Sequence, residues 1–106
     1  LPEPSSREVW LEGAGGERLC ALISGGRGWL MFLRGPDDPG LSSRNPAYDA
    51  PGDALADFTL SNGQRDQYPL SWTYPVEVIE RALDHFRSTG APAPFIAWHD
   101  DAEPEA

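Results

Sequence analysis

The chain has 106 residues and a formal net charge of −9, set by 17 acidic residues against eight basic ones, with 40% hydrophobic residues and four Trp. That length and composition describe one globular domain, not a disordered chain, and exclude a second core of useful size. No apolar run approaches the ~20 residues that cross a bilayer, no signal peptide opens the sequence, and every basic residue is Arg. Direct binding to nucleic-acid backbones or anionic membranes is therefore disfavoured, whereas a basic protein partner, or imitation of nucleic acid toward such a partner, fits the sign of the charge. The lone Cys20 excludes an internal disulfide and fits a reducing compartment, the cytoplasm.

In chain order, residues 1–6 read as an extended lead-in, residues 7–99 as a single domain and residues 100–106 as a solvated acidic tail. The first residue is Leu1 rather than Met, so the chain is expected to start inside a longer product. Glu8–Leu11, Arg18–Ile23 and Trp29–Leu33 are strand-length apolar runs separated by Gly13–Gly16 and Gly25–Gly28, which predicts an antiparallel meander. Pro36–Asp57 reads as a long exposed loop. Ala56–Leu60 and Gln67–Trp72 predict a fourth and a fifth strand around the Asn62-Gly63 turn. Pro75 opens a helix whose stripe is Val76, Ile79, Leu83 and Phe86, with Glu77 and Arg81 spaced for an i, i+4 pair and Gly90 as its stop. Phe95–Trp98 predicts a last strand.

The predicted class is α+β: a mainly antiparallel sheet of about six strands in the order βββ-loop-ββ-α-β, with one C-terminal helix on one face. The second and third strands are apolar at nearly every position, so Trp29, Met31 and Leu33 point away from that helix. With no second helix in sight, an upstream segment, or failing that a partner, is expected to cover them.

Catalytic signals are thin. The glycine clusters lead into strands rather than helix N-termini and so do not cradle phosphate. Cys20 sits in an apolar strand and reads as core. His85 and His99 read as boundary and strand-end residues; His99 with Asp100 is the one acid–base or metal corner available, and adjacent residues on an extended chain point apart. No metal, cofactor or catalytic residue is assigned. Binding is better supported. The long loop and its border hold Asp37, Asp38, Asp49, Asp53 and Asp57 beside Tyr48, a set suited to capturing Arg and Lys. Asp37, Asp38, Tyr48, Asp49 and Asp53 are the predicted partner contacts, followed by Gln64, Arg65 and Asp66 at the Asn-Gly turn.

The run Asp66-Gln67-Tyr68-Pro69-Leu70-Ser71-Trp72, then Pro75-Val76-Glu77, Ala82-Leu83-Asp84-His85-Phe86-Arg87-Ser88-Thr89-Gly90, Pro94 and Ile96-Ala97-Trp98 resembles the first-numbered immunity-protein family of bacterial polymorphic toxin systems. The matched pattern is a closing helix of the form A-L-x-x-F-x-x-T-G, one or two prolines, and a strand ending in Trp. The resemblance covers less than half of the chain. It implies a small α+β protein that binds and blocks a cognate toxin, commonly a nucleic-acid deaminase; the acidic charge of the chain then suggests docking across that toxin's cationic substrate channel. The resemblance also implies a helical segment ahead of the first strand, which is not among these 106 residues and is expected upstream of Leu1. Phe86, Gly90, Pro94 and Trp98 are fold-forming residues, so the resemblance carries over no contact residue. Two other readings stay open: an acidic adaptor or nucleic-acid mimic with a different partner, and a small enzyme using His99 and Asp100.

Overall fold

The computed structural model describes residues 7–48, 54–60 and 62–102. Eight strands and one long helix follow in chain order: β1 (Arg7–Glu12), β2 (Arg18–Ser24), β3 (Arg27–Leu33), β4 (Leu41–Arg44), β5 (Leu55–Thr59), β6 (Arg65–Pro69), a single 3-10 turn (Leu70–Trp72), β7 (Tyr74–Pro75), α1 (Val76–Thr89) and β8 (Ala97–Asp100). The main sheet is antiparallel in the order β1-β2-β3-β4-β8, with β7 also on β3, and β5-β6 forms a separate hairpin. The α+β class and the single helix on one face are as the sequence predicts.

The meander is held by its turns. Gly25 and Gly26 both adopt positive φ, 62° and 80°, between the paired Ser24 and Arg27. A two-residue loop with both centres at positive φ matches the twist of its flanking strands, and glycine adopts it without strain. The carbonyl of Gly26 then accepts a hydrogen bond from the Val76 amide at 2.9 Å, so the hairpin turn caps α1, whose N-cap, Pro75, has no side chain to do so. At its other end Gly90 turns left-handed (φ 73°) and donates to Phe86 O at 2.7 Å.

One face of the sheet packs on α1. Leu19, Ala21, Ile23, Leu30 and Phe32 meet Ile79, Ala82, Leu83 and Phe86, all buried. Gly28 lets the helix come close, since a Cβ there would lie 2.7 Å from Ile79 Cγ1. Arg81 does not close on Glu77 as its spacing suggests; its guanidinium lies 5.1 Å from the Phe95 ring.

The opposite face corrects the expectation that something outside these residues must cover it. The β5–β6 hairpin lies across it: Phe58 is buried with Cys20, Leu22 and Trp29, and Met31, Ala56, Leu60, Tyr68 and Trp72 pack around them. Tyr68 stacks on Trp29 with ring centroids 4.2 Å apart and planes 7° from parallel. Burial pushes the Cys20 thiol up to about 12, aided by the Glu8 charge, so Cys20 is a core residue here rather than a reactive thiolate.

The long predicted loop hides a strand. β4 pairs with β3 through Met31–Ser42 and Phe32–Leu41, while the start of β3 pairs with β7 through Arg27–Pro75 and Gly28–Tyr74. The sheet therefore forks at β3, and buried serines serve the fork. Ser43 Oγ accepts from the Leu30 amide at 3.0 Å and donates to Trp72 O at 2.9 Å. Tyr74 Oη donates to Arg44 O at 2.6 Å and accepts from the Ala97 amide at 3.1 Å. The last strand lies two residues beyond its predicted place, with Phe95 exposed before it and Asp100 inside it rather than in a tail.

Candidate functional site

A meander returns every second turn to the same end of its sheet. β1 ends at Glu12, β2 starts at Arg18, β3 ends at Leu33, β4 starts at Leu41 and β8 ends at Asp100, all at one end by their registers. The turn before β2, the loop before β4 and the chain after β8 consequently gather there. They bring Glu12, Glu17, Asp37, Asp38, Asp100 and Asp101 to this end, against Arg18, Arg34 and the guanidinium of Arg44, which lies 3.9 Å from Asp101. The C-terminus of α1 also lies here, since Leu11, Glu12 and Glu17 line one cavity with Phe86, Arg87 and Gly90. Its last carbonyls add to the negative potential, offset in part by Arg87.

Within this end, Glu12, Arg18, Asp37 and Asp38 border an open depression of about 420 Å³ with Leu33 and Pro36. Its carboxylates differ in availability. Asp38 accepts from Arg34 Nε and Nη2, each at 2.9 Å, and from the Arg34 amide at 2.8 Å. Those bonds hold its carboxyl well below the usual carboxylate range. Arg34 also lies 3.6 Å from Asp100. Asp101 accepts from Ser42 Oγ at 2.8 Å, and Glu17 from the Gly15 amide at 2.7 Å. Glu12 and Asp37 are exposed and take part in no ion pair among the described residues. Asp37 holds positive φ (65°), a left-handed bend in a loop whose neighbours are fixed by the Arg34–Asp38 clamp. These two are the carboxylates this end presents to another molecule. Arg18 leaves Glu12 unpaired because its guanidinium stacks 4.8 Å from the Trp10 ring.

The predicted contact residues that lie among the described residues do not form one patch. Asp37 and Asp38 lie at the acidic end, with Asp38 committed internally. Tyr48 follows β4 at the opposite end, where Arg27 sits 5.0 Å from its ring. Gln64, Arg65 and Asp66 belong to the β5–β6 hairpin: Gln64 Nε2 donates to Asp66 Oδ1 at 3.0 Å, and Arg65 and Asp66 border a groove with Asp57, Gln67 and Tyr68. Asp49 and Asp53 lie outside the described residues. Sequence reasoning missed Glu12 and Glu17, and placed Asp100 and Asp101 in a tail. The signal for Glu12 and Glu17 was present in the parity of the meander, but the place of β8 beside β4 has no local signature.

His99 and Asp100 are consecutive strand residues opposite Ser42 and Leu41, so their side chains leave opposite faces of the sheet. Asp100 Oδ1 accepts from the Ala102 amide at 3.0 Å. The strand does not bring these two groups together on one reacting atom. No helix among the described residues is long and apolar enough to cross a membrane. Comparison of the chain with protein-family models, with curated proteins and with solved structures found no match in any of the three.

Proposed function

We propose that this chain is an inhibitor that works by binding: an immunity-type protein that docks its acidic sheet end against the basic substrate cleft of a cognate bacterial toxin, a nucleic-acid deaminase by preference, in the cytoplasm of the producing cell. The observation that carries the reading is the collection of carboxylates at one end of the sheet, with Glu12 and Asp37 unpaired at its surface. A channel that holds a phosphate backbone is lined with Arg and Lys, and carboxylates on a rigid frame take the places of phosphates there. Steering by opposite charge speeds encounter, and a close-fitting core of the interface slows release. The resemblance of the closing helix and strand to the immunity family points the same way. It supplies the toxin class, which the charge alone does not.

The test is titration of the toxin encoded beside this chain's gene with the purified protein. Deamination should fall to zero at one equivalent, with the two chains eluting together on a sizing column. Full activity in the presence of excess protein, or separate elution, contradicts the proposal.

A further inference from the structure

With β8 at the opposite side, β1 is one of the two edge strands of the main sheet. It pairs with β2 along its whole length, and among the described residues no strand lies on its other side. An edge of six residues presents a row of backbone donors and acceptors to any strand that reaches it. Side-chain grooves flank it on both faces. On the helix face a cavity of about 280 Å³ is lined by Arg7, Val9, Glu80, Leu83, Asp84 and Arg87. On the hairpin face Trp10, 44% exposed, borders a second cavity of about 340 Å³ with Leu11, Glu12 and Arg18.

We infer that this edge pairs antiparallel with β1 of a second copy of the chain, about a twofold axis at Val9. An axis perpendicular to the sheet keeps like faces on the same side, so facing residues share parity. Centring on Val9 sets Val9 against its copy, Arg7 against Leu11 and Glu8 against Trp10. The two Trp10 rings then meet diagonally at ~7–8 Å, within aromatic reach. Centring on Trp10 instead would set Glu8 against Glu12, a like-charge pair directly across strands, which is unfavourable.

The helices agree with the Val9 centre. Val9 shares its cavity with Leu83 and Asp84, so the axis passes beside that turn of α1 and sets Glu80 of each copy opposite Arg87 of the other. α1 packs over β1, β2 and β3. The two helices are therefore separated by roughly three strand spacings of ~4.8 Å, a gap that a Glu and an Arg side chain span together. The same axis sends the two acidic ends in opposite directions. That keeps them apart despite a net charge of −9 on each copy, and leaves both accessible.

Sedimentation velocity on the full chain, from micromolar to millimolar concentration, tests the inference. The expected result is a reversible dimer. Arg87→Glu sets like charges opposite Glu80 twice per dimer and should raise the dimer Kd roughly tenfold. Trp10→Lys, at an exposed position, should abolish the dimer while leaving the near-UV circular dichroism of the core. A chain that stays monomeric throughout the range overturns the inference. So does a dimer indifferent to both Trp10→Lys and Arg87→Glu.

Discussion

Asp38 shows how a single side chain can look like a docking charge and serve the fold instead. Its carboxylate takes both Arg34 side-chain bonds and the Arg34 amide, which closes the loop between β3 and β4 and leaves Asp37 beside it facing outward. Because the folded-state pKa is depressed, the stability it contributes is complete above the ordinary Asp range and is lost as pH falls through the lower, folded value. Asp38→Asn should therefore be less stable than wild type at neutral pH and converge on it in strong acid. Urea midpoints measured at stepped pH check this, and a constant offset across the range contradicts it. The effect is expected to be modest, because an exposed pair is screened by water. From sequence, Asp37 and Asp38 were equivalent acidic loop residues. Only the fold distinguishes them, through a partner four residues upstream.

At the scale of elements, the hairpin β5–β6 is a second layer that makes the main sheet apolar on both faces. Phe58 anchors it, fully buried among Cys20, Leu22 and Trp29. Phe58→Ala should cost about 3–5 kcal/mol, since it removes a buried aromatic and leaves a cavity that the two layers cannot easily close. It should also expose the Trp29–Tyr68 stack to quenchers of indole fluorescence. A loss below about 1 kcal/mol in chemical denaturation would show the layer held by other contacts. The meander, the Asn-Gly hairpin and α1 were legible because each has a period or a turn signature of its own. β4 was not, because its buried positions are Ser42 and Ser43. Their hydroxyls are satisfied by Asp101, Trp72 and Leu30, partners distant in sequence. The cover on the second face was missed for a related reason. Its strands could be read locally, but where a hairpin folds back is set by the shape of Phe58 and Tyr68 against Trp29. Phe95 misled in the other direction: an apolar residue before Ile96 suggested an earlier strand, yet it lies outside under Arg81.

For the whole molecule, six carboxylates lie where β1, β3 and β8 end, with the guanidinium groups of Arg18, Arg34 and Arg44 among them, whereas Arg7 and Arg27 begin strands at the other side. Two of the six carboxylates of that acidic end were visible in the sequence, as Asp37 and Asp38; the contribution of Glu12, Glu17, Asp100 and Asp101 arises from strand order. A rigid frame matters for such a surface, since charges held in place bind without the cost of ordering them. Stopped-flow association with the neighbouring toxin, at rising ionic strength, tests the central claim most directly. For the wild type the association rate should fall steeply with salt, and Glu12→Gln with Asp37→Asn should lower it at low salt and flatten that slope. An association rate that neither salt nor this double substitution changes would contradict an acidic docking end.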